Sequence, residues 1–113
     1  MQHRILHDMT TSPTQLTLKL LRDEGWTAEI VERWNPHARV RHDLYGFIDV
    51  LAVKGAHTLA VQTTSAANVS SRIRKIADTP TIGAVREAGW TIRVHGWKKI
   101  RGRWVLHRDE DLS

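Results

Sequence analysis

The chain has 113 residues, 41% of them apolar, no cysteine and a formal charge of +5. That length and apolar fraction suit one folded domain with a single core. The lack of cysteine excludes a disulfide framework and thiolate chemistry. No apolar run approaches the about 20 residues of a membrane span, and the positive balance favours a polyanionic partner.

Residues 1–11 show no period and are expected to form a mobile arm ahead of a single domain over 12–113. The arm is too polar for a secretory signal, so a cytoplasmic protein is the expectation. Its His3, Arg4 and His7 either touch a phosphate backbone or belong to a frayed tail. Ser12-Pro13-Thr14-Gln15 reads as a helix start, with Ser as N-cap, Pro in the first turn and Gln completing a capping box. Leu16, Leu20 and Leu21 give an apolar stripe, Leu18 lies to one side, and Gly25 ends the helix.

Trp26 to Trp34 reads as a first strand with neither face purely apolar, hence near a sheet edge. Residues 35–42 form a loop led by Pro36, with Arg39 and Arg41 placed to lie along a phosphate backbone or to serve as a polar connector. The His spacings there are wrong for a structural zinc site.

The central stretch runs from Asp43 to Thr64. Two apolar runs, Phe47 to Val53 and Leu59 to Gln62, flank a turn at 54–57 and predict an antiparallel hairpin. Asp49 lies inside the first run and Gln62 ends the second, so the hairpin brings the two together. A carboxylate and an amide in a sheet core require hydrogen bonds or a cation. Asp43 reaches the same place if the chain bends at 43–46, and Gly46 permits a bulge there.

Ser65 to Asp78 predicts a helix capped by Ser65 or Asn68, with Val69, Ile73, Ile76 and Ala77 inward and Arg72, Arg74 and Lys75 on other sides. A short helix over Thr81 to Ala88 follows. Trp90 to Trp97 alternates as a strand with Trp90, Ile92 and Val94 inward and Thr91, Arg93 and His95 outward. Arg103 to Arg108 is the last strand. Lys98, Lys99, Arg101 and Arg103 crowd the tip between them, flanked by Trp97 and Trp104, a mixture suited to phosphates and exposed bases. The acidic tail 109–111 is expected in solvent.

Gly46-Phe47-Ile48-Asp49 followed by Gln62-Thr63-Thr64 resembles the core of the PD-(D/E)XK nuclease superfamily, nearest to Holliday-junction resolvase-like and Mrr-type restriction enzyme domains. The Gly-x-x-Asp element matches, and Gln in place of the second acid is familiar from the Mrr-type branch. Thr64 departs from the pattern, standing where the family has Lys. The resemblance covers about residues 32–76 and implies an α/β fold with a restriction-endonuclease-like mixed sheet flanked by helices; the elements read along the chain, α-β-β-β-α-α-β-β, are close to the α-β-β-β-α-β core of that superfamily with a final strand added. It also implies Mg²⁺ or Mn²⁺ held by Asp49, Gln62, the Thr63 carbonyl and Glu32 or Asp43. Phosphodiester hydrolysis by an activated water follows, with Asp49, Gln62 and Thr64 at the catalytic motif and Arg72 or Lys75 supplying the missing cation. The implied activity is a DNA endonuclease, resolvase-like on branched DNA and homodimeric. The alternative is a domain that has lost cleavage and binds DNA or a protein partner.

Overall fold

The computed structural model of the chain describes residues 11–113. The expected arm falls almost wholly on residues 1–10, outside the described residues, and so do His3, Arg4 and His7. Ser12 caps helix α1 (Pro13–Asp23), its hydroxyl accepting from the Gln15 amide at 3.2 Å. Gly25 leaves the helix with φ +93°, a left-handed conformation that costs a glycine least. The buried face of α1 is Thr17, Leu18 and Leu21. The expected stripe of Leu16, Leu20 and Leu21 is therefore rotated. The reason is polar: the Thr17 hydroxyl is buried because His95 and Trp97 both bond to it.

The main sheet has five strands in the order β1-β4-β5-β6-β7. They are β1 (Thr27–Ile30), β4 (Val50–Lys54), β5 (His57–Ser65), β6 (Thr91–Ile100) and β7 (Arg103–Asp111). All neighbours run antiparallel except β5 and β6, which are parallel. The parallel pair needs a crossover. A 3₁₀ turn (Ala66–Asn68), α2 (Val69–Ala77) and α3 (Ile82–Glu87) supply it. The architecture is mixed α/β, with helices on both faces of the sheet.

Those two faces make two cores. Leu18, Leu21, Ala28, Val50, Ala52, Leu59 and Val61 pack under α1. Phe47, Ile48, Ala60, Val69, Ile76, Ile82, Val85, Ile92 and Val94 pack under α2 and α3. Strand alternation assigns odd positions of β5 to the α1 face and even positions to the α2 face. Gln62 and Thr64 thus share the α2 face, and Thr63 points to α1, where its hydroxyl meets that of Thr14 at 2.8 Å.

Several expected boundaries move. The first strand is not continuous from Trp26 to Trp34. It leaves the sheet after Ile30, and β2 (Arg33–Asn35) pairs instead with β3 (Val40–His42) in a separate hairpin. The loop expected over 35–42 is thus partly strand. Its turn is closed by Asn35 Oδ1, which accepts from the His37 and Ala38 amides. β4 begins at Val50, not Phe47, because the chain turns at 45–47 with Tyr45 and Gly46 at positive φ. The helix expected from Ser65 begins as 3₁₀, no side chain of Ser65 or Asn68 caps it, and Ala77 is exposed.

His95, expected outward, is 2% exposed because α1 covers that face of β6. The acidic tail is part of β7. Asp109 and Asp111 both pair with Arg93 across the ladder, and Glu110 pairs with Arg108. No helix among the described residues is long and apolar enough to cross a membrane.

Candidate metal centre

The site forms where β4 parts from β5. Val50 is the last β4 residue paired to β5, opposite Val61, and the Asp49 amide still donates to the Val61 carbonyl at 2.9 Å. Beyond that point the Thr63 main chain has no β4 partner. Its amide faces the vacated edge and donates to Asp49 Oδ2 at 2.8 Å. Amide and carbonyl of one strand residue point to the same side, so the Thr63 carbonyl turns toward the acids as well. The Thr63 hydroxyl and Gln62 Nε2 also donate to Asp49 Oδ2, at 3.2 Å and 2.6 Å.

Two further carboxylates converge. Carboxylate oxygens of Glu32, Asp43 and Asp49 all lie within 4.8 Å of one another. Glu32 comes from the segment that leaves β1, and Asp43 from the end of β3. An isolated bridge between Leu44 and Ile48 folds the loop back so that Asp43 sits beside Asp49. Glu32 is also held by Arg41, whose Nη1 donates to Oε1 at 3.2 Å. Glu32 and Asp43, alternatives in sequence, therefore both belong to the cluster.

Crowding carboxylates raises their affinity for protons. Burial, then the Asp49 carboxyl beside it, pushes the Asp43 pKa up to about 6. Lys75 and Gln62 oppose that rise. Asp49 is raised too, chiefly by burial, against the hydrogen bonds from Thr63 and Gln62. The site thus has an excess of negative charge that a proton or a cation relieves.

The donor set fits a hard divalent cation, which takes oxygen ligands. Gln62 adds an independent sign. It is 2% exposed and its Oε1 has no hydrogen-bond partner. An orphaned buried acceptor costs about 1–3 kcal/mol. Turning the amide over sets Oε1 against the Asp49 carboxylate instead. In either orientation an oxygen is left that a cation satisfies.

Of the residues expected at the catalytic motif and the metal, Asp49, Gln62 and Thr63 come together. Thr64 is buried on the α2 face that it shares with Gln62, and its hydroxyl offers no charge to the acids. Lys75 is exposed on α2, and its charge opposes the rise of the Asp43 pKa; Arg72 is half-buried on the same helix.

Of the expected nucleic-acid contacts, Arg39, Arg41, Lys98, Lys99, Arg101 and Arg103 are exposed. Trp97 is not available to a base. It is 6% exposed, and its Nε1 donates to Thr17 Oγ1 at 2.9 Å. Trp104 is the aromatic at that end of the sheet that reaches solvent, at 38% exposure.

Sequence reasoning missed Thr14 and Thr17, both polar positions on an otherwise apolar helix face. Thr17 Oγ1 accepts from Trp97 Nε1 and shares a hydrogen bond with His95 Nδ1, 3.1 Å away. The other ring nitrogen, Nε2, faces Asp109 Oδ1 at 3.5 Å. Compared with family models and with curated proteins, the chain matches none.

Proposed function

We propose that the protein is a metal-dependent DNA endonuclease of the PD-(D/E)XK type, with a restriction-endonuclease-like sheet and a resolvase-like taste for branched DNA. The convergence of Glu32, Asp43 and Asp49 within 4.8 Å, beside the orphaned Gln62 Oε1, carries this reading. Asp49, Asp43 and Glu32 would hold Mg²⁺ or Mn²⁺, with Gln62 Oε1 and the Thr63 carbonyl completing the oxygen set. Such an ion, when bound, acidifies water and neutralises charge on a phosphate. Asp49 is oriented by its three hydrogen bonds and keeps Oδ1 for the ion. Lys75 supplies the positive charge near the scissile phosphate that Thr64 lacks. Exposed Lys98, Lys99, Arg101 and Arg103 draw the DNA backbone by a salt-dependent attraction. A homodimer would let so small a domain engage two strands.

A second reading rests on Thr64. A buried neutral side chain where the family has Lys suits a domain that binds DNA without cutting it. A cleavage assay on linear, single-stranded, flapped and four-way DNA separates the two. Cleavage that needs Mg²⁺ or Mn²⁺, and that Asp49→Ala abolishes, supports the nuclease. DNA binding without cleavage in either metal supports the binding domain.

A further inference from the structure

Beside the candidate metal centre, on the other edge of β5, a cleft of about 460 Å³ opens between the 3₁₀ turn and the β6–β7 hairpin. That volume is within the range of small-ligand sites, about 300–1,000 Å³. Ser65, Ala66 and Ala67 form one wall. They follow Thr64 directly, so the cleft begins about 10 Å along the strand from Gln62, at about 3.3 Å per residue. Gly96 allows the two walls to close up. A Cβ there would clash with Val69 Cγ2 and come within 3.0 Å of Ala66 Cα.

The opposite wall carries Lys98, Lys99, Trp104, His107 and Arg108. No carboxylate lines the cleft among the described residues. The β6–β7 ladder slips here: Gly96 faces Arg108, Trp97 faces Leu106, and His107 faces no β6 residue. A bulge of this kind re-aims a side chain, and His107 lines the cleft. Lys99 Nζ lies 5.5 Å from the centroid of the Trp104 ring, holding the half-exposed indole at the mouth. Cations, an imidazole and an aromatic plane around a concave space suit a phosphate joined to a flat ring. A duplex keeps its base faces stacked and offers the phosphate alone.

We propose that this cleft binds an unpaired nucleotide of a DNA strand, its base stacked on Trp104 and its phosphate met by Lys98, Lys99 and Arg108. The proposal rests on the nuclease reading for its choice of DNA and for placing that nucleotide next to the scissile phosphate. The cleft would then confer a preference for DNA with single-stranded character beside the cut.

The test is fluorescence anisotropy of labelled oligothymidine and of a duplex of equal length, in chelator, so that cleavage plays no part. The native chain should bind the single strand more tightly than the duplex. Trp104→Ala should weaken single-strand binding about tenfold, as loss of one stacked base does, with little change for the duplex. Trp104→Phe should retain most of the preference, which a merely misfolded variant would not. His107→Ala should weaken the single strand less than Trp104→Ala. Equal affinity for both DNAs, no binding of either, or an unchanged preference in Trp104→Ala overturns the proposal. Tighter binding of oligouridine than oligothymidine overturns its assignment to DNA. A failed cleavage assay with the Trp104 effect intact removes the nuclease reading and leaves the cleft standing.

Discussion

Thr63 gives both its main-chain amide and its hydroxyl to one oxygen of Asp49, at 2.8 Å and 3.2 Å. The pairing is possible because β4 is paired to β5 only as far as Val50 and Val61, freeing the Thr63 edge for the carboxylate. Thr63→Val keeps the shape and the amide bond but removes the hydroxyl, leaving the Thr14 hydroxyl without that partner. We expect a loss of about 1 kcal/mol in urea unfolding. A double-mutant cycle with Thr14→Val should show coupling, since the two side chains touch.

The acid cluster sets a pH dependence. Unfolded, Asp43 titrates near its usual 3.8; folded, near about 6. Between those values the folded state holds more protons, so this group's contribution to stability falls as pH rises through the window. Asp43 is only half-buried, so the loss is discounted for solvent screening to on the order of 1 kcal/mol. Thermal unfolding without metal should show the fall, and Asp43→Asn should flatten it. Mn²⁺ should raise the melting temperature more at neutral pH than at pH near 5, where the cation must displace a proton.

His95 titrates in the opposite sense. Burial holds its pKa below the usual 6.5, against the attraction of Asp109. The unfolded state therefore takes up the proton first as pH falls, and stability is lost below about 6.5. Thr17→Val removes the acceptor of Trp97 Nε1 and the hydrogen-bond partner of His95 Nδ1 together. Two buried polar groups are then orphaned, and we expect a loss of about 2–4 kcal/mol in denaturant unfolding.

Lys75 and Arg72 lie three positions apart on α2, and the Lys75 charge is the one that lowers the Asp43 pKa most. Under the nuclease account Lys75→Gln should slow metal-dependent cleavage by about 10²-fold, the cost of losing one positioned charge. Arg72→Gln should change the rate little. Equal losses in both would point to general attraction for DNA instead of a role at the phosphate.

The elements that a sequence shows are those whose pattern comes from one face. Ser12 and Gly25 mark α1 at both ends, and the Asp49–Gln62 approach follows from a hairpin turning at 54–57. His95 and Trp97 were hidden because both faces of β6 are covered, and alternation assumes that one is wet. The hairpin of β2 and β3 has no apolar side to betray it, with Trp34 58% exposed. The acids 109–111 look like a solvated tail until Arg93 is seen across the ladder. Asp43 and Glu32 were both legible as candidates, but only the loop folded by Leu44 and Ile48 brings them to one point.

In the proposed function Glu32, Asp43 and Asp49 hold a divalent cation. Calorimetric titration of Mn²⁺ into the native chain and into Asp49→Asn tests it without DNA. The native chain should bind saturably, with proton release at neutral pH, and Asp49→Asn should lose that binding while it keeps the fold. Absence of saturable binding in the native chain, or equal binding by the variant, would contradict it.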